Sequence, residues 1–329
     1  MIDLSLMSKQ EKLIIASLLG LIVLVFLFTL TPKNMRNERK APAVPQNIFA
    51  TGGAAGSEKG YFNTPRDIGR DKAGNTYVVD SRNHRIQKFN PAGDLAAAWG
   101  KEGNGPGEFK EPNGIDVTPD GTVYVADTWN GRVQVFSSTG GYLREFGGDR
   151  GMWGPRDVGI DADGNAYVAD TGNGLIHKFD KLGKFEISFG KKGGGKAPGE
   201  FAEPFSIKAY KNQLYILDRK NYRIQVLDTA GKYIREFRVE GWADGQVVNG
   251  CLMEPYHDID SETGKIYITD STNHRIIVHA NNGAKLKIID KDANNAQFSC
   301  VIGIAVKGEN RILAADSASG RIITIADNN

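Results

Sequence analysis

The feature that most constrains this chain is a repeat. An apolar-apolar-Asp run closes six segments, Tyr77–Asp80, Tyr124–Asp127, Tyr167–Asp170, Tyr215–Asp218, Tyr267–Asp270 and Leu313–Asp316, at Asp-to-Asp steps of 47, 43, 48, 52 and 46 residues. A period in the forties built from short β-rich pieces is the signature of propeller blades, because one such unit cannot bury its own apolar face and must stack on the next. Each unit reads as four strands. An inner strand follows a proline, as at Pro112; a turn such as Thr118–Gly121 leads to the strand ending in Asp; a third strand opens with Arg85, Arg132, Arg223, Arg275 or Arg321; a Gly turn (Gly93, Gly140, Gly183, Gly231) reverses into a fourth. Period-two alternation bounded by Gly, Asn and Asp predicts half-buried antiparallel strands.

The ends predict how the ring closes. The sixth unit stops after its third strand, while the first is preceded by an extra one, Asn47–Gly52, placed before Pro65 as Leu95–Gly100 is before Pro112. The N-terminal strand is therefore expected to complete blade six, which removes free sheet edges. The fold class is all-β, a six-bladed β-propeller over 47–329.

The segments Gly105–Pro112, Asn83–Arg85 and Asn273–Arg275 resemble NHL repeats, named for an Asn-His-Leu signature. The resemblance extends over 47–329 and departs from the pattern at Leu175 and at Ala318–Gly320. It implies a six-bladed propeller, and a family whose members serve as protein-binding modules, RNA-binding modules, receptor sensor domains and a few lyases.

Ahead of the propeller, residues 13–31 form a nineteen-residue run without charge, which as a helix spans about 28 Å, close to a bilayer core. Residues 1–12 are its tail and 32–46, with Pro32, Pro42 and Pro45, a linker. A cleavable signal peptide is the rival reading; the length of the run and the absence of a small-residue cleavage site favour an uncleaved signal anchor in a single-pass membrane protein. Lys33, Arg36, Arg39 and Lys40 argue for a cytoplasmic body by the positive-inside rule, whereas a short Lys-bearing tail before the run suits a signal anchor with an extracytoplasmic body, the topology expected here. Cys251 and Cys300 each precede an inner strand of adjacent blades, so they either bridge in an oxidising compartment or remain two thiols. Beyond residue 46 the chain carries 35 basic and 36 acidic residues, which offers no electrostatic footprint for nucleic acid.

Two sets of residues are candidates for function. The repeat Asp residues have a structural reading, capping the following turn or pairing with the nearby Arg, and His84 and His274 belong to the repeat. Near the channel, Asp67, Asp157, His257 and Asp258 are candidate oxygen and nitrogen ligands for a divalent cation, set against a water-filled polar channel or bonding to strand amides. A single channel His is too few for the zinc site of the propeller amidating lyase. In the turns after the repeat Asp and in the long loop between blades four and five, Arg82, Trp129, Arg219, Lys220, Tyr222 and Trp242 stand where the repeat leaves residue type free. Trp, Tyr and Arg are the usual anchors of protein interfaces, a reading set against scattered surface aromatics that pack on neighbouring loops. The expected function is therefore a membrane-anchored protein-binding or scaffold module with no cofactor, its loop-rich face meeting a protein partner in a membrane complex. The alternative is a metal-dependent lyase or hydrolase acting at the channel mouth.

Overall fold

The computed structural model describes residues 56–242, 251, 253–292, 294–308 and 311–327. The apolar run 13–31, its flanks and the expected closing strand 47–52 lie outside these residues; among the described ones, no helix is long and apolar enough to cross a membrane. Six antiparallel sheets follow one another along the chain, five of four strands and one, blade six, of three among the described residues. The inner strands run from Pro65–Arg70 through Ile115–Val117, Pro155–Ile160, Pro204–Tyr210 and His257–Ile259 to Val301–Gly308. Each lies against the next, and the sixth returns to the first, so the sheets close a ring.

Apolar residues from facing strands fill the spaces between blades. Tyr77, Val79 and Ile86 of blade one, for example, pack with Phe109, Val125 and Phe136 of blade two. A recurring lock holds the rims together. In blades two to five the Gly that reverses the third strand sits directly on an aromatic ring from the outer strand of the preceding blade: Gly140 on Trp99, Gly183 on Phe146, Gly231 on Phe189 and Gly283 on Phe237. At Gly231 the backbone has φ +87° and a Cβ would stand 2.1 Å from Phe189 Cδ1. Only glycine meets both demands.

The repeat Asp is a node within each blade. Asp127 Oδ1 accepts the Lys110 N–H at 2.8 Å, while Oδ2 accepts from Asn130 at 2.9 Å, Arg132 at 2.9 Å and Gln134 at 3.0 Å. Asp80, Asp170, Asp218 and Asp316 likewise take N–H groups from the loop ahead of their own inner strand. The pairing with Arg matches the sequence reading. The amide bonded belongs to the loop before the inner strand and not to the turn that follows, because that turn closes on its own backbone, as in His84 N–H to Ser81 O at 3.0 Å. Cys251 and Cys300 are joined in a disulfide with Cα atoms 5.6 Å apart, inside the apolar cluster shared by blades four, five and six.

Candidate functional site

A proline rigidly opens the inner strand of five blades, and its neighbours on either side are carried to the upper mouth of the channel. Glu111, Glu203 and Glu254 precede Pro112, Pro204 and Pro255; Arg66, Asn113, Arg156, Phe205 and Tyr256 follow the opening prolines. Here the neighbours of the prolines meet the turns after the repeat Asp. Trp129, Arg219 and Lys220 from those turns line one cavity of about 680 Å³ together with Trp153, Arg156, Glu203, Phe205, Met253 and Glu254. A smaller recess beside it is lined by Arg66, Arg82 and Glu254.

Charge at the mouth is arranged so that cations share carboxylates. Glu254 is ion-paired with Arg66 and lies 3.5 Å from Arg156 Nη1. Glu203 accepts from Arg219 Nε at 2.6 Å and from Lys220 Nζ at 2.5 Å. Glu111 Oε2 receives the Trp129 Nε1–H at 3.4 Å. The Arg156 guanidinium lies 5.6 Å from the Trp129 ring centroid and 5.7 Å from that of Phe205, within cation–π range of both. Burial pulls the Arg66 guanidinium down to about 10 and lowers that of Arg156, since both positive charges are held out of water.

Beneath this layer the channel is closed. Tyr256, wholly buried, reaches from blade five to blade three and donates its O–H to Arg156 O at 3.0 Å. Below it, inner-strand side chains staple each blade to the next through backbone amides. Asp67 accepts from Ile115 at 3.1 Å, Asp116 from Ile160 at 2.7 Å, Asp157 from Ile207 at 2.9 Å, Ser206 from His257 at 3.3 Å, and Asp258 from Val306 at 2.7 Å. Where the ring has Gly303, a Cβ would come within 2.4 Å of Arg66 O, so the packing leaves no room for a side chain. Lys208 enters from the lower mouth, lined also by Asp116 and Asp258. Burial disfavours its charge, yet Asp157, Asp67, Asp116 and Asp258 outweigh that and raise its pKa above the ordinary lysine value. Burial raises Asp67 well above the carboxylate range and Asp157 to about 6, and it lowers His257 to about 3, so this imidazole is neutral.

The structure distributes the sequence candidates unevenly. Trp129 is 48% exposed, and Arg82, Arg219 and Lys220 stand with it around the mouth. Trp242 is a correction: at 1% exposure it belongs to the core of blades four and five, because the loop carrying it folds inward behind Val239. Tyr222 is half-buried. It occupies the left-handed position that ends its turn, with φ 54°, and packs edge-on against Trp242 at 6.1 Å. Among the channel candidates, Asp157 and Asp258 commit both oxygens to backbone amides. Asp67 Oδ1 and both His257 ring nitrogens are left without a well-formed partner. Among the described residues, no group of three or more His, Cys, Asp or Glu is arranged to hold a metal ion.

Sequence reading missed Arg66, Arg156, Glu203, Glu254 and Trp153. The available signal was the Glu-Pro and Pro-Arg pairs that recur at the start of the inner strands, one step away from the channel positions considered.

These features define a six-bladed β-propeller with NHL repeats. The NHL repeat family matches residues 62–89 and 109–136, and a family described as 6-bladed beta-propeller matches 160–244. No curated protein matches the sequence. Similar solved structures include virginiamycin B lyase from Staphylococcus aureus with quinupristin, at 16% identity and TM-score 0.56, covering 80% of each chain. Hydrazine synthase of Kuenenia stuttgartiensis has 13% identity and TM-score 0.56, covering 80% of this chain and 96% of that one. A gluconolactonase from Xanthomonas campestris has 10% identity and TM-score 0.58, covering 81% and 87%. At such identities the likeness is one of fold.

Proposed function

We propose that this protein is a binding module, held to a membrane by residues 13–31 with its propeller outside the cytoplasm, and that its upper mouth is the contact surface for a protein partner. The observation that carries the reading is the cavity where Trp129, Trp153, Arg156 and Arg219 converge. Trp and Arg dominate interface energetics when gathered in one partly desolvated place, and scattered surface aromatics do not form such a cavity. The Cys251–Cys300 disulfide supports an oxidising compartment. The test is co-purification from detergent-solubilised native membranes. Trp129→Ala and Trp153→Ala change exposed side chains, so stability should move by less than about 0.5 kcal/mol while partner retention is lost. Retention unchanged in both variants would place the contact surface elsewhere.

The second reading, a metal-dependent lyase or hydrolase using Asp67, Asp157, His257 and Asp258, draws support from the lyase and gluconolactonase among the similar structures and from the His257 ring, whose nitrogens lack a well-formed partner. Stoichiometric divalent metal in the purified protein, lost in His257→Ala, would favour it over the binding module.

A further inference from the structure

We propose that the segment received by the upper mouth is an acidic peptide, its carboxylate held by Arg156 and an adjacent apolar side chain resting against Trp153 and Met253. This rests on the binding-module reading and adds to it the chemistry of the partner. Four cations of the mouth, Arg66, Arg156, Arg219 and Lys220, face three carboxylates, Glu111, Glu203 and Glu254, so the site holds positive charge in excess, increased by Arg82 at its edge. Complementary charge is what selects and steers a partner to such a patch.

Of the three cations that line the cavity, Arg156 has the longest carboxylate contact. Its Nη1 meets Asn113 Oδ1 at 3.2 Å and Glu254 only at 3.5 Å, because Glu254 is turned to Arg66. Held near Trp129 and Phe205, the guanidinium is fixed in place, so it is preorganised for a fork-to-fork bond with a carboxylate. Arg219, by contrast, is occupied by Glu203 and Met253 O. Beside the clamp, Trp153 is 66% exposed and Met253 lies in the wall, and a thioether wall adapts to different apolar side chains.

The experiment titrates the intact full-length protein in detergent, followed by tryptophan fluorescence at low salt. The probes are an acetylated, amidated hexapeptide Leu-Glu-Asp-Glu-Leu-Phe, its Gln/Asn analogue, and trigalacturonate as an acidic glycan. The acidic peptide is expected to bind at least tenfold more tightly than its neutral analogue. Arg156→Met should erase that ratio, and Arg156→Lys restore part of it. If Arg156→Met lowers the melting temperature, Lys220→Glu on an exposed side chain replaces it and should also reduce the ratio. Equal binding of the two peptides, binding of neither, or preference for trigalacturonate overturns the proposal. In the first two cases, loss of partner retention in Trp153→Ala still leaves the mouth as the contact surface, so the two readings fail separately.

Discussion

At the residue scale the unusual group is Lys208, one ammonium among four carboxylates on the propeller axis. Replacing it by Met leaves those carboxylates facing one another, and removing one partner of a buried charge set costs about 3 kcal/mol. The loss should be largest at pH 7 and shrink toward pH 5 as Asp157 takes up a proton, which thermal melts across that range will show. The wild-type protein carries a milder form of this dependence. Asp157 titrates near 6 in the fold against about 3.8 when unfolded. Between those values the native state binds the extra proton, so stability from this group is full below about pH 4 and is lost as pH rises through 6. Asp157→Asn should flatten that window. It should also lower stability throughout by about 1–2 kcal/mol, since an amide cannot accept at both positions now bonded to Val158 and Ile207. Trp129, Arg219 and Lys220 were legible as mouth residues because the repeat leaves their identity free. Trp242 was misread for the same reason, since freedom from a repeat pattern does not distinguish a surface loop from one that folds inward.

At the level of elements, the strands and their turns follow from period-two alternation and glycine placement, and the structure agrees with them in blades one to five and in the three described strands of blade six. What the sequence did not disclose is which surfaces meet across blades. The Gly231–Phe189 contact joins residues 42 positions apart with no local signal. Gly231→Ala puts a methyl into that ring at positive φ, combining overpacking with backbone strain at about 2–4 kcal/mol. Gly193→Ala is the control: it also has positive φ but nothing within 4 Å of an added Cβ, and should cost about 1 kcal/mol. Chemical denaturation of the two variants checks the difference.

For the whole molecule, the ring is held by the interblade staples, the apolar seams and the disulfide. The cysteines are 49 residues apart, and reducing a cross-link of that length removes about 4 kcal/mol by chain entropy. Melting with and without reductant should show the loss, and Cys300→Ser should reproduce it. Blade six has three strands among the described residues, with Ile322, Ile323 and Ile325 buried in the third. Removing residues 1–59 is therefore expected to destabilise the propeller far more than removing 1–46, measured by circular dichroism and melting of both truncated chains. A last consequence concerns the order in which the ring is assembled. Ser317 Oγ donates to Pro65 O, a bond between residues 252 positions apart that ties blade six to blade one. Contacts of such separation are the slowest to form, whereas every other junction joins neighbours in sequence. The first five blades are expected to stack in turn as the chain folds, but the circle stays open until the strands of blade six are in place. Until then the inner strand of blade one has no neighbour on one side, so the folding chain passes through a stage in which that flank is open to chaperones or to a second copy.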